Sequence, residues 1–232
     1  MLGLASQQVP GRARTIGVGL LAACTVVAGV ITALGVPSSA SETSPSTAAV
    51  ATADSPNYVA VAALPQGARF GSWTAGAIDN GLPAKSPFCL DGVFDPSTTG
   101  NRGYYGKTKV AAEELVSVLG SSQAADDLVS KLRTQIQGCY QQWLNMDIPA
   151  YRKGHRSASW ARYASSDAPD EPTIYGVFTV PPPGFDHATN LYAVGRRGNT
   201  VMVMHMVLVG DRGNAPAVQF QSSAMAAMST LY

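Results

Sequence analysis

The stretch Leu191-Tyr-Ala-Val-Gly-Arg-Arg-Gly-Asn-Thr-Val-Met-Val-Met-His-Met-Val-Leu-Val209 decides the fold class. Two runs rich in β-branched and aromatic residues, Leu191–Arg197 and Val201–Val209, flank Gly198-Asn199, a two-residue hairpin signal. The second run is apolar at odd and even positions alike. A strand with one face in water would alternate, so this one predicts a central strand covered on both sides. Upstream, Ser157–Ala164 and Thr173–Val180 read as further strands. Downstream, Asn214–Tyr232 reads as a closing helix with Ala217, Phe220, Ala224, Met228 and Leu231 along one stripe.

Working back from these strands, two helices are expected. Val110–Leu119 carries apolar residues at Val110, Leu115, Val118 and Leu119, and Gly120 suits the position just past a helix end. Ser121 and Ser122 can cap a second helix with Asp126 and Asp127 near its positive end. Along it Leu128, Leu132, Ile136, Cys139 and Trp143 recur at spacings of three and four. From Asn57 to Gly106, Gly and Pro interrupt short apolar pieces (Tyr58–Leu64, Phe88–Phe94), which predicts short strands and loops. The sum is an α+β fold, an antiparallel-rich sheet packed with helices, in a single exported domain over residues 57–232.

Export is read from the N-terminus. Arg12 and Arg14 precede an uncharged run over residues 15–36, roughly 33 Å as a helix at 1.5 Å per residue. That length spans a hydrocarbon core. With the positive charge only on its N-terminal side, residues 1–14 are expected in the cytoplasm and the C-terminal bulk outside. The expected location is the cell membrane, with residues 15–36 as a single-pass signal anchor. The alternative is a secreted protein cleaved after Ala40, where Ser38 and Ala40 fit the small-residue exit. Leu21-Ala-Ala-Cys24 resembles a lipobox, but Thr25-Val-Val continues the apolar run, so Cys24 reads as a small apolar residue within a helix. Residues 37–56, rich in Ser, Thr, Ala and Pro, read as a flexible tether.

Cysteine usage agrees with export. The part beyond the apolar run holds only Cys89 and Cys139, an even number for an oxidising compartment. A disulfide between them is expected, closing a loop of about 50 residues and contributing about 4 kcal/mol on the chain-entropy model. Two unpaired buried thiols are the alternative.

Composition excludes several classes. The net charge is +1, with no basic stripe for nucleic acid. No Gly-rich phosphate loop, nucleophile elbow, His-Glu-x-x-His or calcium loop occurs. No cofactor and no metal is expected, and the chain reads as non-enzymatic. His205 reads as a hydrogen-bonded core or edge histidine, and Asp186-His187 as part of a solvated loop. His155 sits in a basic surface turn beside Arg152, Lys153 and Arg156. Glu113-Glu114 and Asp126-Asp127 read as solvated helix positions, and Asp167, Asp170 and Glu171 as an acidic loop.

The best candidate for ligand contact is Asn101-Arg-Gly-Tyr-Tyr-Gly-Lys107. Arg102, Tyr104, Tyr105 and Lys107 combine aromatics and cations on flexible glycines, a mix suited to recognition. The alternative is a hairpin turn whose tyrosines cover the core edge.

The layout is similar to a known family. The helix Leu128-Val-Ser-Lys-Leu-Arg-Thr-Gln-Ile-Gln-Gly-Cys139, the hairpin Tyr192-Ala-Val-Gly-Arg-Arg-Gly-Asn-Thr-Val-Met-Val-Met204 and the closing helix resemble the PknH-like extracellular sensor domains of actinobacteria, over about residues 85–232. The resemblance implies a mixed α/β sandwich with a cleft for an extracellular ligand. Family members commonly carry two disulfides where this chain can form one, and no functional residue carries across. The expected function is a membrane-anchored or secreted sensor-like domain binding an extracellular ligand or an envelope component or protein. The alternatives are an exported hydrolase and an envelope structural or adaptor protein.

Overall fold

The apolar run at the end of the hairpin forms the middle strand of a seven-stranded antiparallel sheet. In the computed structural model, residues 57–151, 154–164, 171–210 and 215–231 are described, all within one compact unit. In chain order the elements are β1 (Thr74–Asn80), β2 (Thr99–Tyr105), β3 (Val110–Val118), α1 (Ser122–Asn145), β4 (Ser157–Ala164), β5 (Thr173–Val180), β6 (Ala188–Arg197), β7 (Thr200–Val209) and α2 (Ala217–Thr230). The strands lie in the order β1-β2-β3-β7-β6-β5-β4. The apolar run 15–36, Cys24, the exit at Ala40, the tether through residue 56 and the acidic positions Asp167 and Asp170 lie outside the described residues. Among the described residues no helix is long and apolar enough to cross a membrane.

β7 is central because both of its faces are apolar. Val201 and Val203 join Leu115, Tyr175, Val177, Tyr192 and Val194 in a core with Val129, Leu132, Ile136 and Cys139 of α1. Met202, Met204, Met206 and Leu208 point the other way, into a core with Phe220, Ala224, Ala227 and Met228 of α2. The chain segment Tyr58–Leu64 shares this second layer. Unbranched methionines fill the irregular space between a twisted sheet and a short helix. The β6–β7 hairpin turns at Gly198-Asn199, with Gly198 at a φ of 59° that favours glycine.

One expected helix is a strand. Val110–Val118 pairs residue for residue with Leu208–Thr200 of β7 on one side and with β2 on the other. The helix-forming residues Ala111-Ala-Glu-Glu-Leu115 are overridden because the apolar edge of β7 needs a partner, and backbone pairing over nine positions outweighs propensity of a few tenths of a kcal/mol per residue. Gly120 therefore ends no helix but lies in the link to α1. That helix begins as expected, with the Ala124 N–H donating to Ser121 Oγ at 3.1 Å. Its buried stripe takes in Val129 rather than Leu128.

Candidate functional site

The helix α1 crosses β4, β5, β6 and β7 and leaves the β2–β3 side of its face uncovered. There the segment Pro83–Asp91 stands up as a wall, and between wall and sheet lies a cavity of about 590 Å³. The wall and the residues that follow it are pinned from α1 and β6. Cys89 is disulfide-bonded to Cys139 of α1, with the two Cα atoms 5.6 Å apart. Tyr192 Oη donates to Phe88 O at 2.8 Å. Lys131 Nζ, also from α1, donates to the carbonyls of Gly92 and Val93, both at 3.2 Å. The wall turns at Pro87-Phe-Cys-Leu90, closed by the Leu90 N–H donating to Pro87 O at 3.0 Å, with Cys89 at a φ of 68°. A left-handed third turn residue is a place glycine usually occupies.

The floor is a cross-strand row. Gly103 of β2, Glu113 of β3, His205 of β7 and Tyr192 of β6 are successive register partners. His205 Nε2 lies 3.1 Å from Asn190 Oδ1. An amide oxygen only accepts, so Nε2 carries the proton. The imidazole stacks on the Tyr192 ring, centroids 4.8 Å apart and 23° between planes. Burial pushes His205 down to about 4 and Glu113 up to about 7. Near pH 6 the row is therefore largely uncharged, because each group avoids ionising where water is scarce.

Strand alternation divides the expected ligand-contact segment. Asn101–Tyr105 belongs to β2 and is not a loop, so neighbouring side chains take opposite faces. Tyr105 lines the cavity. Its ring folds back over Gly103: a Cβ built there would stand 3.0 Å from Tyr105 Oη and 3.3 Å from Cζ. Tyr104 is fully buried on the α2 side, its single hydroxyl proton shared between Val59 O and Glu114 Oε2 at 2.9 and 3.0 Å. Arg102 takes that side too, with Nε donating to Gly76 O and the guanidinium 5.7 Å from the Tyr104 ring centre. Lys107 lies exposed in the β2–β3 turn, where its N–H bonds Phe70 O.

The remaining expectations place as follows. His155 is exposed. Asp186 pairs with Lys109 at 2.6 Å on the surface, while His187 is half-buried with an enclosed Nδ1 that has no partner among the described residues, so the two do not converge. Asp126 forms an ion pair with Arg196 at 2.5 Å. Neither Glu113 nor Glu114 is a helix position: the first is half-buried and lines the cavity, and the second is fully buried on the other face. Among the described residues no group of three or more His, Cys, Asp or Glu converges to hold a metal ion.

Sequence reading missed Glu113, Asn190 and the wall. Glu113 was hidden by helix propensity. Asn190 had one signal, a residue type depleted from strands next to a strand run. A smaller cavity of about 240 Å³ lies on the other side of Phe88, lined by Trp143 and Tyr151, and Phe88 and Asn190 border both spaces.

No family model matches the chain, and no curated protein matches it. Among solved structures it is similar to the crystal structure of the extracellular domain of PknH from Mycobacterium tuberculosis, with 11% identity and a TM-score of 0.42 over 75% of this chain and 98% of that one. The match is of the kind that the sequence resemblance named, and at this level it transfers neither a residue role nor a function.

Proposed function

We propose that this chain is an extracytoplasmic, sensor-like domain that holds a small ligand in the cavity between the Pro83–Asp91 wall and the β2–β3–β7 floor, without chemistry on it. The observation that carries the reading is the cavity itself. Its volume falls within the usual range for small-molecule sites, and it combines an apolar lining with a few convergent polar groups. A wall held by a disulfide and two sets of hydrogen bonds favours a site formed before the ligand arrives. The export signal over residues 15–40 supplies the outward location, with residues 15–36 as the membrane anchor.

The test is a fragment screen on the full-length protein in mild detergent, read by amide NMR. Fragments are expected to shift the amides of Gly103, Glu113 and His205 together. Binding confined to other surfaces would leave the adaptor reading ahead. The hydrolase reading draws on Glu113 lying beside His205. It predicts turnover of chromogenic esters or glycosides that His205→Asn abolishes. For the anchor, intact mass from membrane and medium fractions is expected to give a full-length membrane species; a chain starting at Ser41 in the medium, or lipid on Cys24, overturns it.

A further inference from the structure

Glu113 is a half-buried carboxylate that, among the described residues, has neither a hydrogen bond nor an ion pair. Its neighbours in the row supply nothing. Gly103 has no side chain, and His205 gives its Nε2 proton to Asn190. A carboxylate withdrawn from water and left unpaired is costly, and the group that relieves it best is a cation bearing N–H donors. Next to it in register, the Tyr105 ring lies over Gly103 and lines the same cavity. An aromatic ring beside a carboxylate is the arrangement that attracts organic cations, the ring through its quadrupole and the carboxylate through charge. The rest of the lining is largely apolar, with Pro83, Pro87 and Phe88 on the wall and Ala111 and Val207 on the floor.

Resting on the ligand pocket proposed above, we infer that its occupant is an organic cation, a protonated amine or an amidinium on a compact apolar body, with Glu113 as counter-ion and the Tyr105 ring beside it. The charges facing Glu113 agree with this sign. Asp91 and Lys85 stand on the wall, Tyr105 on β2 and His205 on β7, so with Glu113 ionised the lining carries one more negative than positive charge. Lys85 is exposed and makes no ion pair with Glu113 among the described residues. An anion would meet two carboxylates and one ammonium.

Burial holds Glu113 near 7, so a cation that needs it ionised binds more tightly as pH rises through that value. His205 is uncharged throughout this range. For a carboxyl titrating near 7, the ionised fraction rises about tenfold between pH 6 and 8, and affinity follows it.

The experiment uses the full-length protein in mild detergent with four matched probes: benzylamine and benzamidine as cations, benzyl alcohol as a neutral isostere and benzoate as an anion. Calorimetry at pH 6 and 8 gives affinities, and amide NMR gives the site. The cations are expected to shift the Gly103, Glu113 and His205 amides and to bind about tenfold more tightly at pH 8. Glu113→Gln should weaken both cations about tenfold and leave benzyl alcohol unchanged, while Tyr105→Ala should weaken the cations about threefold. Equal or tighter binding of benzyl alcohol or benzoate at those amides, or cation affinity unmoved in Glu113→Gln, overturns the cation assignment and leaves the pocket standing. If no probe moves those amides, both the assignment and the pocket reading fall.

Discussion

Glu113 and His205 stand directly opposite one another on β3 and β7, yet the imidazole's hydrogen bond runs away from the carboxylate, to Asn190 on β6. Burial moves the two groups apart, Glu113 up to about 7 and His205 down to about 4. An ion pair would have moved them in the opposite directions, the carboxyl down and the imidazole up.

This pairing predicts the titration of the row. Imidazole nitrogen shifts should show His205 neutral with Nε2 protonated from pH 8 to about 5, charging only near 4. The Glu113 carboxyl carbon should titrate near 7. A His205 that charges above 6.5 with Glu113 titrating below 4.5 would show an ion pair instead. For stability the two groups have opposite signs: the His205 contribution is present above pH 6.5 and is lost as pH falls through about 4, and the Glu113 contribution is present below pH 4.5 and is lost as pH rises through about 7.

On the opposite face, Glu114 holds down the segment that enters the domain. Its Oε2 accepts from the Val59 N–H and the Tyr104 hydroxyl, while Oε1 is enclosed and has no hydrogen-bond partner among the described residues. Burial outweighs these bonds and pushes the carboxyl up to about 7. A carboxyl whose folded value is raised stabilises most below its unfolded value, and that stability is lost as pH rises through 7. Glu114→Gln keeps an acceptor without the charge. In urea titrations it should match the wild type near pH 4.5 and exceed it at pH 8 by a difference on the order of 3 kcal/mol. A difference that does not change with pH would show that Glu114 does not titrate in this window.

Removing the disulfide should cost stability and loosen the wall together. Cys89→Ser opens a loop whose ends are 50 residues apart in sequence, and the chain-entropy model puts the loss at about 4 kcal/mol. Amide exchange should speed up first over Pro83–Asp91, which the bond ties to α1. Unchanged exchange there would assign the wall's order to the Tyr192 and Lys131 hydrogen bonds alone.

The α1 core gives a packing test. Ile136 is fully buried beneath the helix, so Ile136→Ala should destabilise by about 2–5 kcal/mol in urea unfolding. Val118→Ala, at the exposed end of β3, should stay within about 0.5 kcal/mol. Equal effects at the two positions would contradict the placement of the core.

Much of the architecture was legible in the sequence for local reasons. Strand bounds at Ser157–Ala164 and Thr173–Val180 followed from β-branched and aromatic runs, the hairpin from Gly198-Asn199, and the α1 start from Ser121. The site was not legible to the same degree. Tyr104 and Tyr105 are adjacent in sequence and suggest one recognition loop, but a strand sends one into the core and the other into the cavity. Glu113 is not legible because Ala-Ala-Glu-Glu-Leu favours a helix until a neighbouring strand competes for its backbone.

By itself the sequence determined the arginine-flanked apolar run over residues 15–36, the pair Cys89 and Cys139, the central place of Val201–Val209 and the apolar stripe of α1. Each rests on charge, composition or periodicity, which act within a short stretch of chain. Only the tertiary structure decided that residues 110–118 extend the sheet, that Glu113, His205 and Asn190 meet from three strands, and that Pro83–Asp91 stands over them. Those choices depend on pairing between segments distant in sequence. The free energy that settles them is the burial of the β7 edge and faces, a quantity that no local pattern in residues 110–118 carries.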